Sequence, residues 1–131
     1  ARFAAGTPCP LVGGGLLQQP IYVRDLVATI LSCAGNTACQ GRIFQAAGPD
    51  IMESREYYRI MAVLAGLPFV EQELSQSEWL AKHPGDAVGL CHRIYNLDSL
   101  RQAGLAVPST PFVVAMRQTM AELGLLPVRA K

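Results

Sequence analysis

The stretch that decides the fold is residues 18–26, which read Gln-Gln-Pro-Ile-Tyr-Val-Arg-Asp-Leu. Ile21, Tyr22 and Val23 favour a short strand, because aromatic and β-branched side chains pack well on a pleated sheet. Asp25 is a suitable N-cap, and apolar residues then recur at helical spacing until Gly35. The stretch therefore predicts a strand that leads directly into a helix.

Strands and helices also alternate on either side of this stretch. Residues 10–12 predict a strand that ends in the glycine turn 13–15, and residues 42–47 (Arg-Ile-Phe-Gln-Ala-Ala) predict a buried strand. A helix is expected over residues 54–65, followed by an edge strand over residues 69–74. This alternation predicts an α/β or α+β fold in one domain that covers residues 1–131.

The last third of the sequence predicts short helices joined by loops. Ser75 and Glu78 have capping-box spacing for a brief helix. Residues 83–86 are expected to form a loop and residues 93–95 a short extended piece. Another brief helix should begin at Asn96 or Asp98 and end before residue 104. Thr110 is expected to be the N-cap of a final helix, with proline at the first helical position.

Composition excludes several classes of partner. The chain has 131 residues and a formal net charge of +1, with its arginines scattered along the sequence. That charge disfavours a nucleic-acid partner, and no apolar run reaches the length of a membrane span. The four cysteines form no CxxC pair, so we expect free thiols and a cytoplasmic location.

No complete catalytic or cofactor motif is found in the sequence. Residues 13–15 lack the G-x-G-x-x-G spacing of a dinucleotide loop, and they precede another expected strand rather than a helix. The only lysines, Lys82 and Lys131, do not stand four residues after a tyrosine, and neither histidine completes a zinc spacing. We therefore expect no catalytic, cofactor-binding or metal-binding residue in this chain alone.

Several separated segments resemble one family of enzymes. Residues 18–26 resemble the strand-to-helix signature of extended short-chain dehydrogenases, the NAD-dependent epimerases and dehydratases. Residues 10–15 are similar to the strand and turn before that signature, and residues 41–48 to a late sheet strand of the same family. Residues 54–56 look like the start of the substrate-lobe helix, and residues 96–111 resemble the closing run. These signals occur in the order that the family has them.

The resemblance implies a C-terminal, substrate-side fragment. It would consist of the substrate-binding lobe plus the last strand and helix of a Rossmann-type domain, with the N-terminal dinucleotide-binding part absent. NAD or NADP would belong to the parent protein, which would epimerise, dehydrate or reduce a sugar or a sugar-like hydroxy or keto compound. The implied partners are this small-molecule substrate and the missing Rossmann domain, and a homodimer is left open.

The resemblance also suggests four substrate-binding residues: Gln18, Tyr22, Asp86 and Arg93. In nucleotide-sugar members, diphosphate-binding arginines stand at the positions of Gln18 and His83, and an aspartate that contacts the ribose matches Asp86. Neutral side chains at both arginine positions would remove much of the diphosphate clamp. Arg93 could substitute, although a surface ion pair is an equal alternative, and Tyr22 faces either the core or the cleft.

Other interpretations of these residues remain open. Asp25 is best explained as a helix cap, and Trp79 either packs under its short helix or closes over a pocket. At the level of the whole chain, the alternative to a substrate-binding lobe is a non-catalytic sensor or interaction domain that shares the fold.

Overall fold

A computed structural model of the chain describes residues 6–127, which divide into two compact units. Unit 1 contains the described residues up to Gln18, the segment Met52–Arg93, and the described residues from Arg117 onward. Unit 2 contains Gln19–Ile51 and Ile94–Met116. Helices are mixed with two small sheets, so the described chain is an α+β structure.

The helices and strands of the described residues follow one another in this order: β1 (Cys9–Val12), β2 (Leu17–Gln18), α1 (Val23–Ser32), β3 (Met52–Glu53), α2 (Ser54–Ala65), β4 (Glu71–Leu74), α3 (Gln76–Lys82), α4 (Asp98–Gln102) and α5 (Phe112–Glu122). Short 3-10 helices cover Thr37–Cys39 and Pro84–Gly89. Within residues 6–127, no helix is long and apolar enough to cross a membrane.

Two strand pairs organise unit 1. β1 pairs with β4 in parallel, with Cys9 opposite Glu71 and Val12 opposite Leu74. Parallel neighbours cannot be joined by a tight hairpin, and here α2 lies in the long connection between them. β2 pairs antiparallel with β3, which leads directly into α2. The two pairs therefore hold both ends of the glycine turn 13–15 close to the start of α2.

Arg55, in the first turn of α2, ties this arrangement together. Its Nε donates to Glu71 at 2.8 Å and its Nη2 to Glu73 at 3.1 Å, both on β4. The hydrogen bond that Arg55 donates to Glu71, together with the surrounding carboxylates, raises the pKa of Arg55 above its usual value. The guanidinium also covers Gly14, where an added Cβ would lie 3.1 Å from Nη2. A side chain at position 14 would therefore have to displace the Arg55 guanidinium by a few tenths of an ångström.

A polar face of α1 holds the segment 106–110 in unit 2. Thr29 Oγ1 donates to the carbonyl oxygen of Ala106 at 2.8 Å, and Ser32 Oγ accepts from the Ala106 N–H at 2.9 Å. Asp25, one turn earlier on the same face, accepts from the backbone N–H groups of Ser109 and Thr110 at 2.9 and 2.7 Å. Helical spacing thus sets out three polar side chains along an irregular segment and satisfies its backbone groups.

The core of unit 2 is a small cluster around α4. Leu100 is fully buried, and the cluster consists of Ala47, Leu97, Leu100, Ala103 and Leu105. Gln19 links the segment at Gly48 to the segment at Tyr95. Its side-chain amide donates to Gly48 O at 2.7 Å and accepts from the Tyr95 N–H at 2.8 Å. Gly48 itself is buried against the backbone of Pro20.

Several predicted elements are confirmed. β1 covers the strand expected over residues 10–12, and β4 covers the last four residues of the edge strand expected over residues 69–74. α2 has the predicted bounds, and Gly66 ends it in the left-handed conformation with φ of 66°. Ser75 caps α3 by accepting from the Glu78 N–H at 3.1 Å.

The strand expected over residues 21–23 is wrong. α1 already begins at Val23, and Tyr22 is its N-cap residue with an extended backbone but no side-chain cap bond. Asp25 is consequently in the first helical turn rather than at the cap, and its carboxylate serves Ser109 and Thr110 instead. The apolar pattern fixed the helix, while the three residues before Arg24 were too few to indicate a strand by themselves.

The buried strand expected over residues 42–47 is also wrong. These residues form neither helix nor strand, and Ile43 is 92% exposed, whereas Ala47 is buried. A strand exists only where a neighbouring backbone accepts its hydrogen bonds, and the described chain offers none at this segment. The apolar face of α1 is likewise exposed rather than buried: Val23, Val27, Ile30 and Leu31 are 47–67% accessible.

Three smaller predictions also need correction. Residues 83–86, expected as a loop, lie largely in the 3-10 helix Pro84–Gly89. Thr110 does not cap α5, because the helix begins at Phe112, two residues later, and the Thr110 hydroxyl instead donates to Asp25 Oδ1 at 2.8 Å. Asp50 takes that role by accepting from the Phe112 N–H at 2.6 Å. The Thr-Pro pair indicated where the helix begins. It did not indicate which side chain would accept a hydrogen bond from the first backbone N–H of the helix.

Candidate substrate-binding site

A cleft of about 550 Å³ opens in unit 1 between β1, the start of α2, α3 and the 3-10 helix that follows α3. β1 supplies an apolar wall, and Ser54 and Tyr58 of α2 supply hydroxyl groups. Asp86 and Arg93 supply the charged groups, and Trp79 supplies an aromatic wall. Pockets of this size that combine an apolar lining with a few polar groups are typical of small-molecule sites.

Asp86 is held by the indole of Trp79. The Nε1–H of Trp79 donates to Asp86 Oδ2 at 2.8 Å, and the Trp79 ring stacks on His83 with centroids 4.0 Å apart and planes inclined by 22°. The Asp86 carboxylate makes no other hydrogen bond among residues 6–127, so its Oδ1 can accept a bond from a ligand hydroxyl. The indole therefore orients the carboxylate without neutralising it.

The backbone of Arg93 is held by a hydrogen bond, whereas its guanidinium makes few contacts. Its N–H donates to the carbonyl of Leu17 at 2.8 Å, whereas the guanidinium makes only a long contact of 3.4 Å with Val88 O. No carboxylate of the described residues pairs with it. The ion-pair alternative from the sequence is therefore not seen, and the donors of this arginine remain available to an anion.

Gln18 lies beside the cleft rather than in it. It lines a side hollow of about 110 Å³ together with Cys91 and Arg93. Five residues line both this hollow and the cleft: Val12, Ser54, Gly89, Leu90 and Arg93. β2 is kept in place here by His92, whose Nδ1 accepts from the Leu17 N–H at 3.0 Å. Three of the four predicted residues thus lie around one connected region of unit 1.

Tyr22, the fourth predicted residue, belongs to unit 2 and lines neither the cleft nor the side hollow. Its side chain is only 8% exposed, and its hydroxyl has no hydrogen-bond partner among the described residues. Of the two orientations that the sequence allowed, the structure favours the core.

The sequence did not single out two aromatic residues of the cleft. Tyr57 and Tyr58 are neighbours on α2 with an edge-to-face contact of 5.3 Å, but burial raises the pKa of Tyr57, whereas Tyr58 lines the cleft. Of the two alternatives for Trp79, packing under its helix or closing over a pocket, the structure favours the second, because Trp79 lines the cleft. Adjacent residues on a helix face different directions, and this is the signal that could have identified Tyr58.

The glycine turn 13–15 does not fit a dinucleotide. It joins β1 to β2, no helix begins at its end, and Gly14 is covered by the guanidinium of Arg55. The pyrophosphate of a dinucleotide is bound by exposed N–H groups at a helix N-terminus, and this turn offers no such groups. Within residues 6–127, no group of three or more His, Cys, Asp or Glu side chains could hold a metal ion.

Comparison with known proteins does not assign the chain to a family. No protein-family model matches it, and no curated protein matches it significantly in sequence.

Proposed function

We propose that the chain is the substrate-binding, C-terminal part of an NAD(P)-dependent epimerase, dehydratase or reductase of the extended short-chain dehydrogenase type. Its substrate would be a sugar or a sugar-like hydroxy or keto compound. The observation that carries the proposal is the cleft of unit 1, whose lining combines Asp86 and Arg93 with an apolar wall. NAD or NADP would be bound by the parent protein and not by this chain.

The chemistry of the cleft suits a hydroxylated ring. The free oxygen of Asp86 can accept from a ligand hydroxyl, and the hydroxyls of Ser54 and Tyr58 can donate or accept. The aromatic face of Trp79 and the side chains of β1 give a surface on which the apolar face of a ring can pack. Groups of these kinds orient a substrate but do not transfer hydride, which agrees with a binding role.

Unit 2 supports the same proposal through the apolar surface that it leaves uncovered. The exposed face of α1 and the unpaired segment 42–47 would both be covered if a Rossmann-type sheet packed beside them. The same surface also favours the second candidate, an interaction domain without catalysis. The two candidates differ in whether the parent protein binds and turns over a nicotinamide cofactor.

The test uses the full-length protein encoded by the gene and measures NAD and NADP binding by calorimetry. We expect one of the two to bind, whereas the 131-residue chain alone should bind neither better than millimolar. Turnover is then followed through the absorbance of the reduced nicotinamide with a panel of sugars and hydroxy acids.

Substitution of the cleft residues provides the second arm. Asp86→Ala and Arg93→Gln should raise KM by about tenfold or more with a smaller change in kcat, because both residues bind rather than react. Arg101→Gln, in unit 2, is the matched control and should leave both constants unchanged. A full-length protein that binds neither dinucleotide would reject the proposal in favour of an interaction domain.

A further inference from the structure

We propose that the cleft of unit 1 selects a substrate with a single anionic group, a carboxylate or a monophosphate, on an otherwise uncharged body, and discriminates against a diphosphate. This inference rests on the proposed function and specifies the substrate class of the same site. It follows from the number of cations and carboxylates that the cleft presents and from how each of them is already engaged.

Among the described residues that line the cleft, Arg93 is the only cation. In the described part of the chain it makes no ion pair, and its guanidinium has only the 3.4 Å contact with Val88 O. A planar guanidinium can bind one carboxylate or one phosphoryl group through two parallel hydrogen bonds. The cleft can therefore compensate one anionic group at close range.

A second cation, Arg55, follows a cleft residue in sequence but already forms ion pairs with other side chains. Arg55 follows Ser54, a cleft residue, yet its donors go to Glu71 at 2.8 Å and Glu73 at 3.1 Å, with Glu53 at 3.8 Å. Three carboxylates around one guanidinium leave a net negative local charge. Arg55 therefore cannot attract a second phosphate, and its acidic neighbours oppose one.

Asp86 adds a further negative charge to the cleft itself. Its carboxylate is bonded to the neutral indole of Trp79, and no cation of the described residues pairs with it. A second phosphoryl group near it would find no second cation among the described lining residues and would meet the like charge of Asp86. A neutral hydroxyl, in contrast, would donate a favourable hydrogen bond to the Asp86 carboxylate.

The rest of the lining suits an uncharged body. Pro10, Leu11 and Val12 of β1 form one wall, and Val88 and Leu90 contribute further apolar surface. Trp79 offers a ring face in the same space. The lining thus combines one anion anchor, one hydroxyl acceptor and an apolar surface.

The test measures the preference on the chain itself and uses Trp79 as the reporter. Trp79 is the only tryptophan of the chain, so a 15N-labelled sample gives one indole N–H peak, and this N–H is the donor to Asp86. Four probes share a phenyl group: benzoate, phenyl phosphate, phenyl diphosphate and benzyl alcohol. Each is titrated at matched ionic strength to millimolar concentration, and the shift of the indole peak gives its dissociation constant.

We expect benzoate or phenyl phosphate to bind about tenfold more tightly than benzyl alcohol, and the better of the two to identify the anionic group. Phenyl diphosphate should bind no more tightly than phenyl phosphate. Arg93→Gln should abolish the preference for the anions, Arg93→Lys should retain part of it, and Arg101→Gln should leave it intact. The amide spectrum shows whether each variant is folded.

Three results would overturn the proposal: no shift with any probe, equal affinity for the neutral alcohol, or tighter binding of the diphosphate. The probe series with the unaltered chain decides these points even if an Arg93 variant fails to fold. Failure of the proposed function remains distinguishable, because that proposal is decided by cofactor binding to the full-length protein.

Discussion

Asp25 and Thr110 are joined by two hydrogen bonds although 85 residues separate them in sequence. The carboxylate accepts from the Thr110 backbone N–H at 2.7 Å and from its hydroxyl at 2.8 Å, and a further bond comes from the Ser109 N–H at 2.9 Å. Partial burial alone would favour the neutral acid, but the bonds from Thr110 and Ser109 outweigh it and lower the pKa of Asp25. The ionised carboxylate therefore fixes the approach of the chain to α5.

Asp25→Asn should destabilise the chain by about 1–2 kcal/mol at pH 7, because a neutral amide oxygen is a weaker acceptor than a carboxylate and its NH₂ group faces N–H donors. Urea unfolding of both proteins measures the difference. Asp98→Asn is the matched control: Asp98 bonds Arg101 at 2.8 Å in an exposed pair, and such pairs contribute little. Equal losses in the two variants would contradict this role for Asp25.

The stability difference between the wild-type chain and Asp25→Asn should depend on pH. The folded state lowers the pKa of Asp25, so the unfolded chain binds the proton more readily. The stabilisation is therefore complete above the unfolded pKa of about 4 and is lost as the pH falls through the lower, folded value. Unfolding midpoints of the two proteins should converge in this acidic range. A constant difference down to the lowest pH at which the chain is folded would show that charge is not involved.

Gly48→Ala should be among the most damaging small substitutions in unit 2. An added Cβ would overlap the carbonyl oxygen of Pro20, and a backbone atom cannot rotate away as a flexible side chain can. The expected loss is about 2–4 kcal/mol in urea unfolding. Gly15→Ala is the matched control, since a Cβ there meets nothing within 4 Å, and stability should change by less than about 0.5 kcal/mol.

The sequence predicted those elements whose signals are local. The apolar spacing and Gly66 gave the bounds of α2, and Ser75 gave the cap of α3, because a helix satisfies most of its own backbone hydrogen bonds. Strand predictions fared worse at residues 42–47, where pairing depends on a neighbour that the described chain does not supply. The contact of Asp25 with Thr110 could not be predicted either, because no sequence signal near one of these residues identifies the other.

The candidate site could be predicted only in part. The resemblance pointed to Asp86 and Arg93, which line one cleft, and to Gln18, which lines the side hollow beside it. It also pointed to Tyr22, which is buried in unit 2. Tyr58 and Trp79 were not selected, because an aromatic residue on a helix more often packs in a core than lines a pocket. Their exposure to the cleft depends on how α2 and α3 pack, which the sequence alone did not reveal.

Tyr22→Phe should leave the chain as stable as the wild type or up to about 1 kcal/mol more stable, because a buried hydroxyl without a protein partner costs free energy. Tyr22 is 8% exposed, and its hydroxyl has no hydrogen-bond partner among residues 6–127, while the ring fills space that phenylalanine fills equally well. Thermal or urea unfolding measures the change. Tyr58→Phe is the control for the loss of a hydroxyl that faces the cleft, and the stability of this variant should be unchanged.

In the full-length protein, Tyr22→Phe should also leave KM unaltered, whereas a direct role of the Tyr22 hydroxyl in substrate binding would raise KM. A loss of more than about 1 kcal/mol on unfolding would instead show that the hydroxyl is hydrogen-bonded in solution.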